Sequence, residues 1–330
     1  MIYFCTLFDS AYLSRGLAMY ESLLACEPEA FLSIFTFDQT CYEVLTRMNL
    51  KQVKVFALAD FENERLLAIK PSRTRAEYCW TCKATAILHV LDTFSADSCT
   101  YLDADLYLFH SPKILLDEMK GRSVLLTPHR FTKQYDSSIT NGEFCAQYIS
   151  FKNTVAGREV LNWWNDACIE WCFARHEENK YGDQKYLEQM IEKFPSVLES
   201  KNLGAVGPWN MQQYTFYNKE NKLFGREIES GREFEVIFFH FHAFRFLPGS
   251  KKANLGSYAI SQSAFQYIYR PFSMRLLQIN KILQTKFGLS SMDENKAAYN
   301  WKSPLRFIKR KLRGLPRIVK VSKLIAIGSK

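Results

Sequence analysis

The stretch Ile2-Tyr3-Phe4-Cys5-Thr6-Leu7-Phe8 is a continuous apolar run that ends at the polar pair Asp9-Ser10. A short apolar run that stops at turn-forming residues is typical of a strand buried on both faces. Apolar residues then recur at helical spacing from Leu13 to Leu24. The amino terminus therefore predicts a strand, a polar turn and a helix.

The same alternation continues along the chain and decides the fold class. Strands are predicted at Phe31 to Phe37, at Val53 to Leu58 and at Thr100 to Leu102, with helices near residues 40 to 49 and from Glu77 to Phe94. Alternating strands and helices indicate an α/β fold with a mainly parallel, doubly wound sheet. Ligands of such sheets bind at the carboxyl ends of the strands.

Later elements mix strands and helices, so we expect a mixed sheet. The predicted segments are strands near Val124 to Leu126, Ala146 to Phe151 and Phe234 to His240, and helices near Gly157 to Ala174, Asp183 to Lys193 and Ser273 to Phe287. A composition change at Trp301 is the one clear boundary in the sequence, and we treat the chain before about residue 250 as one domain. We therefore expect a domain over residues 1–250, a helical extension over 251–301 and a basic tail over 302–330.

Composition excludes several classes of protein. The 330 residues are 47% hydrophobic and 23% charged, which is ordinary for a globular chain and unlike a disordered or collagen-like one. Nine cysteines are an odd number, and they favour buried reduced thiols. We therefore do not expect Cys79 and Cys82, or Cys168 and Cys172, to form a zinc site.

The net charge of +9 is concentrated at one end. Ten Lys and Arg residues and no acidic residue lie from Lys302 to Lys330, which leaves residues 1 to 301 with a net charge of −1. This tail alternates cations with aliphatic residues, so we expect it to be helical and to dock on an anionic membrane surface. A merely solvated tail is the alternative, and no nucleic-acid-binding motif accompanies the charge.

No secretory signal follows Met1, and no run approaches the roughly 18 apolar residues of a membrane span. We therefore expect a cytoplasmic protein, peripheral on the inner face of the cell membrane.

Asp103 and Asp105 follow a predicted strand directly. Alternate residues leaving a strand can bring two carboxylates to one hard cation, such as Mg²⁺ or Mn²⁺, and leave coordination positions for phosphate oxygens. A simple turn with an Asx cap is the alternative.

His240 and His242 interrupt an apolar strand at alternate positions, which predicts that both side chains lie on one side of it. Either imidazole could complete a manganese site, or be a core histidine.

The segment Tyr181-Gly182-Asp183-Gln184 precedes a predicted helix. Asp183 is suited to cap that helix, with Gln184 as a polar residue of its first turn.

These motifs occur in an informative order. Tyr101 to Asp105, then Asp183-Gln184, then Pro208-Trp209-Asn210 and finally His240-Phe241-His242 resemble the landmarks of metal-dependent GT-A glycosyltransferases, particularly glycosyltransferase family 8 and related nucleotide-diphospho-sugar transferases. The resemblance covers residues 2 to 245, and it implies a GT-A-like single Rossmann-type domain.

The resemblance also implies a role for each matching residue. Asp103, Asp105 and His240 would hold Mn²⁺ or Mg²⁺, with His242 as the alternative histidine. Asp183 would bind sugar hydroxyls, and Gln184 would lie near the anomeric carbon, as the catalytic pair. The nucleotide-sugar donor would contact Thr6, Asp9, Tyr12, Arg75, Asp103, Trp209 and Asn210, with Tyr12 stacking on the base.

Two segments differ from the family pattern. The sugar-binding strand has Asn141, Cys145 and Gln147 as candidates for one role, and the diphosphate would need Arg245 or Lys251. The resemblance as a whole implies transfer of a sugar, with a UDP-sugar as donor, to a glycan or lipid-linked acceptor of a bacterial surface polysaccharide. Whether the configuration is retained or inverted stays open. The alternatives are a non-catalytic membrane- or polyanion-binding protein, and a nucleotidyltransferase, although the glycine-rich lysine loop of the latter is missing after Phe8.

Overall fold

The computed structural model describes residues 1–247, 251–289 and 318–325. The strands are β1 Ile2–Phe8, β2 Ala30–Thr36, β3 Val53–Ala57, β4 Ser98–Leu102, β5 Leu106–Leu108, β6 Val124–Pro128, β7 Phe144–Lys152, β8 Val197–Glu199, β9 Ala205–Val206, β10 Tyr214–Lys219, β11 Lys222–Glu227, β12 Glu233–Glu235, β13 Phe238–His240, β14 Arg245–Phe246, β15 Lys252–Asn254 and β16 Ile318–Lys320. The helices are α1 Leu13–Cys26, α2 Gln39–Met48, α3 Glu64–Ile69, α4 Arg75–Thr93, α5 Lys113–Leu116, α6 Ser138–Asn141, α7 Val155–Glu170, α8 Tyr186–Lys193, α9 Gln262–Ala264, α10 Arg270–Phe287 and α11 Val321–Ile325.

The central sheet has seven strands in the order β3-β2-β1-β4-β7-β6-β8. The first four are parallel, whereas β7 is antiparallel to both of its neighbours. This confirms the mixed, mainly parallel α/β sheet that the sequence predicts. The strand order reverses between β1 and β4, and ligands of open α/β sheets bind at such a switch point. Asp9 and Asp103 leave these two strands at the same edge.

Helices cover both faces of the sheet. Helices α1, α2 and α10 bury apolar residues on one face, and α4, α7 and α8 do so on the other. Trp164 of α7 is fully buried and stacks on Phe151 of β7. Because both faces are covered, the strands at the centre read as apolar runs rather than as alternating patterns.

A second sheet, in the order β5-β13-β9, brings a late part of the chain to the switch point. Its antiparallel register pairs His240 with Leu106, and the amide of Phe241 donates to the carbonyl of Asp105 at 2.9 Å. This pairing places His240 beside the Asp103 to Asp105 turn, although about 135 residues separate them in sequence.

Helix α10 packs on the segment that follows β13. The ring of Phe272 on α10 stacks on Phe241 with centroids 3.6 Å apart. Within the tail, Ile318–Lys320 form strand β16 against β15 rather than part of a helix, because the β-branched side chains of Ile318 and Val319 suit strand pairing. Val321–Ile325 form the helix α11. Residues 302–317 and 326–330 lie outside the described part. Among the described residues, no helix combines the length and apolarity needed to cross a membrane.

Candidate active site

A cavity of about 530 Å³ opens at the carboxyl edge of β1 and β4. Most of the side chains singled out from the sequence line it: Asp9, Tyr12, Arg75, Asp103, Asp105, Asp183, Gln184, Trp209, His240 and His242. Thr6 and Asn210 are buried outside its wall. The Asn210 side chain donates to the carbonyl of His129 at 2.8 Å and accepts from the amide of Gly207 at 3.0 Å, so it braces the Trp209 turn.

Asp103, Asp105 and His240 form a three-residue cluster. One ligand atom from each lies within 4.8 Å of the other two, and no other such group of His, Cys, Asp or Glu occurs among the described residues. His240 Nε2 lies 2.9 Å from Asp105 Oδ1 and 4.0 Å from Asp103 Oδ2. Two carboxylates and one imidazole are a donor set that suits Mn²⁺, and Mg²⁺ through the oxygens. The residues therefore fit a divalent cation.

His242 is not part of this cluster. Strand β13 ends at His240, and His242 follows two residues later on the side of the chain that faces the same cavity. The His242 ring lies 5.9 Å from the His240 ring, centroid to centroid, and lines the cavity.

Charge balance in the cluster depends on the Asp105–His240 pair. Burial opposes charge on both groups, but the imidazolium of His240 lowers the pKa of Asp105 below its ordinary value. In return, Asp105 raises the pKa of His240 well above its ordinary value, against the effect of burial. The site is thus arranged to hold a positive charge beside Asp105.

Lys83 is a buried cation that the sequence interpretation missed. Its Nζ lies 3.0 Å from Asp103 Oδ1 and 3.1 Å from Asp183 Oδ2, and it donates to the carbonyl of Ala146 at 3.2 Å. Burial alone would lower the pKa of Lys83, but the two carboxylates raise it above its ordinary value. The available signal was its position on the buried face of α4, next to Cys82 and one turn before Ile87.

The expected helix cap at Asp183 is wrong. Helix α8 begins at Tyr186, and the cap residue Lys185 makes no side-chain cap. Gly182, with φ of 52°, turns the chain so that the Asp183 carboxylate enters the cavity wall toward Lys83. Burial raises the pKa of Asp183, and Lys83 opposes that effect. Gln184 donates from Nε2 to the carbonyl of Asn141 at 2.7 Å.

The first-strand end of the cavity carries a separate ion-pair network. Arg75 Nε lies 2.9 Å from Asp9 Oδ2, and its Nη2 lies 2.8 Å from Asp38 Oδ2. The Tyr12 ring is 42% exposed, with the Arg15 guanidinium 4.7 Å from its centroid. The nearby Asp105 carboxylate and burial raise the pKa of Tyr12 to about 12, so the ring stays neutral.

The structure separates the remaining candidates from the sequence into residues outside the cavity and residues near His240. Neither Arg245, on β14, nor Lys251 lines the cavity. Of the three candidates for the sugar-binding strand, Asn141 ends α6, whereas Cys145 and Gln147 lie on β7 and contact His240. The Oε1 of Gln147 lies 2.6 Å from His240 Nδ1. Cys145 and Asn141 line the cavity. The nine cysteines are free thiols, as the composition suggests.

Comparison with known proteins identifies two relatives by sequence and a solved structure of similar fold. No protein-family model matches the chain. The uncharacterized protein YfnF of Bacillus subtilis is 30% identical over 304 residues, covering 89% of this chain and 99% of YfnF. The uncharacterized protein YfnD of the same organism is 29% identical over 295 residues, covering 86% of this chain and 92% of YfnD.

Among solved structures, the chain is similar to the galactosyltransferase LgtC in complex with donor and acceptor sugar analogs. The TM-score is 0.52 at 12% identity, covering 84% of this chain and 96% of that one. At this identity the likeness concerns the fold, which is the GT-A fold predicted from the sequence. The chain therefore belongs to the same protein family as Bacillus subtilis YfnF, and it has a GT-A glycosyltransferase fold.

Proposed function

We propose that this protein is a metal-dependent glycosyltransferase that transfers a sugar from a nucleoside diphosphate donor. The observation that carries this proposal is the Asp103–Asp105–His240 cluster in the wall of a cavity at the sheet's switch point. That arrangement suits a ligand that brings both a diphosphate for a cation and a sugar for the neighbouring polar groups.

Each polar residue of the cavity would have a separate role. Asp103, Asp105 and His240 would hold the cation, which supplies Lewis acidity at the leaving diphosphate when bound. Lys83 compensates the partly exposed carboxylate of Asp103 and the buried carboxylate of Asp183, and Asp183 would accept hydrogen bonds from sugar hydroxyls. Gln184 would lie near the anomeric carbon. Since a carboxamide is a poor nucleophile, a front-face displacement fits this site better than a covalent intermediate on Gln184.

The proposed partners are a nucleotide-sugar donor, a glycan or lipid-linked acceptor and an anionic membrane surface. The donor is a UDP-sugar, with Asp9, Tyr12 and Arg75 at the base, and the acceptor is a glycan or lipid-linked glycan of a bacterial surface polysaccharide. The domain over residues 1–250 would be catalytic, and 251–301 would be its extension. The basic segment 302–330 would hold the enzyme on the inner face of the cell membrane, where a lipid-linked acceptor is available.

The test is the thermal stabilisation of the full chain by UDP, GDP, ADP and CMP, each with and without Mn²⁺. A ligand at 100 times its Kd adds about 2.7 kcal/mol to the free energy of unfolding. We expect a Mn²⁺-dependent shift with UDP. Asp105→Asn should lose it, whereas the control Asp117→Asn should keep it, because the exposed Asp117 carboxylate pairs with Lys113 and does not line the cavity.

The same experiment separates the alternatives. No shift with any nucleotide would overturn the proposal and favour a non-catalytic membrane- or polyanion-binding protein. A shift with a nucleoside triphosphate, and pyrophosphate release in the presence of a sugar phosphate, would favour a nucleotidyltransferase. Transfer itself is measured by incubating the Mn²⁺-loaded protein with UDP-sugars and following UDP release.

A further inference from the structure

Gln147 contacts both segments that form the metal cluster, namely the Asp103 to Asp105 turn and the end of β13. Its side-chain Oε1 lies 2.6 Å from Nδ1 of His240, and its backbone carbonyl accepts from the amide of Asp103 at 2.8 Å. Gln147 is only 1% exposed, so the side chain cannot exchange this contact for water. One residue therefore contacts both the Asp103 turn and the late histidine.

An irregularity in the sheet aims the side chain. The pairing of β6 with β7 shifts between Leu126, opposite Ile149, and Thr127, opposite Cys145. The three residues from 146 to 148 thus lack regular partners in β6. Such bulges re-aim side chains and are common next to functional sites. Here the bulge lies at the end of β7 that faces the cavity, where Cys145 and Ala146 form part of the wall.

The contact has a direct chemical consequence for His240. A carbonyl oxygen only accepts hydrogen bonds, so Gln147 holds the proton on Nδ1. Nε2, which lies 2.9 Å from Asp105 Oδ1, is then the nitrogen that would lose its proton and ligate a cation. Hydrogen bonds of this kind orient metal-binding histidines and increase their affinity for the metal.

We propose that Gln147 is a positioning residue that fixes the tautomer and orientation of His240 for a divalent cation. This inference rests on the proposed function, because it assumes that Asp103, Asp105 and His240 bind the cation. Gln147 itself is not a ligand. Its effect should be larger for Mn²⁺, which accepts nitrogen ligands well, than for Mg²⁺, which prefers oxygen.

The experiment is a titration of the full chain with Mn²⁺, alone and with UDP, followed by electron paramagnetic resonance, with Mg²⁺ as competitor. Gln147→Met keeps the side-chain length without the acceptor, and Gln147→Leu replaces it if Gln147→Met does not fold. We expect about 10- to 100-fold weaker Mn²⁺ binding and a smaller change for Mg²⁺. Gln147→Glu, which restores an acceptor, should bind Mn²⁺ within about threefold of the original chain.

Two controls separate positioning from a general disturbance of β7. Ser150→Ala removes a buried hydroxyl of the same strand, which pairs with Thr100 at 2.8 Å, and should leave Mn²⁺ binding unchanged. In a His240→Ala background, Gln147→Met should cause no further loss. Mn²⁺ binding by Gln147→Met equal to that of Ser150→Ala, or equal losses of Mn²⁺ and Mg²⁺, would overturn the inference alone. Absence of Mn²⁺ binding by the original chain, with and without UDP, would overturn the proposed function as well.

Discussion

The ammonium group of Lys83 lies 3.1 Å from Oδ2 of Asp183, and both side chains are almost completely buried. The pair joins α4 to the turn before α8 across about 100 residues of sequence. A second carboxylate, that of Asp103, lies 3.0 Å from the same nitrogen. One cation therefore compensates the buried Asp183 and the partly exposed Asp103. Without it, the Asp183 carboxylate would stay buried without its compensating cation.

Lys83→Met should consequently be strongly destabilising. Removal of one partner from a buried ion pair costs about 3–5 kcal/mol, because the remaining charge stays buried without compensation. Urea unfolding at neutral pH measures the loss. The control Lys133→Met, at an exposed position, should change the free energy of unfolding by no more than about 0.5 kcal/mol. Equal stability of the two variants would contradict the role assigned to Lys83.

Gly157 is a position where any side chain must displace the backbone. A Cβ atom there would lie 2.1 Å from the carbonyl oxygen of Lys152, at the close approach of α7 to the end of β7. Gly157→Ala should cost about 1–3 kcal/mol despite the better helix propensity of alanine. Gly121→Ala is the matched control, since nothing lies within 4 Å of its Cβ. Urea unfolding of both variants checks this, and equal midpoints would refute it.

The sequence was sufficient for six of the seven strands of the central sheet, all except β8, and it singled out Asp103, Asp105 and His240 with His242 as the alternative histidine. Buried parallel strands leave apolar runs, and Asp103, Asp105 and His240 each interrupt or end such a run. The contacts of Lys83 and Gln147 left no comparable pattern. Both depend on long-range packing: α4 against the sheet in one case, and a shifted register between β6 and β7 in the other. The helix cap assigned to Asp183 failed because Gly182 turns the carboxylate toward Lys83.

Aromatic packing, rather than an ion pair, should attach α10 to the rest of the molecule. The Arg275 guanidinium contacts both carboxylate oxygens of Glu21, at 2.5 and 2.6 Å, but both side chains are about one third exposed. Partly exposed pairs contribute about 0.2–1 kcal/mol. Phe272 is fully buried against Phe241, so Phe272→Ala should cost about 3–5 kcal/mol.

Urea unfolding of Phe272→Ala and Arg275→Met compares the two contributions. A larger loss in Arg275→Met than in Phe272→Ala would show that the ion pair, not the ring contact, holds this helix.

Charge in the tail should control membrane binding independently of the active site. Replacement of Lys309, Arg310, Lys311 and Arg313 by Gln removes four cations from a segment outside the described residues. Each basic residue near an anionic surface contributes about 1 kcal/mol, so affinity for phosphatidylglycerol vesicles should fall by at least about 100-fold. Strand β16 is left intact. Co-sedimentation at low and high salt measures the change, and Mn²⁺-dependent UDP binding serves as the control. Unchanged sedimentation of the variant would mean that the tail is simply solvated.

His129 should make the protein less stable in acid. Burial, which outweighs the hydrogen bond between its ring and the carbonyl of Gly142, lowers the pKa of His129 to about 3. The unfolded chain takes up this proton below pH of about 6.5 and the folded chain does not, so the unfolded state gains stability as the pH falls. Between pH 7 and pH 5 this residue should remove about 2 kcal/mol from the free energy of unfolding, at 1.36 kcal/mol per unit of pKa.

His129→Asn keeps a donor near Gly142 but cannot be protonated. As the pH falls from 7 to 5, the free energy of unfolding of this variant should therefore improve by that amount relative to the original chain. Parallel pH profiles of the two proteins in urea unfolding would show that His129 is not held neutral in the folded state.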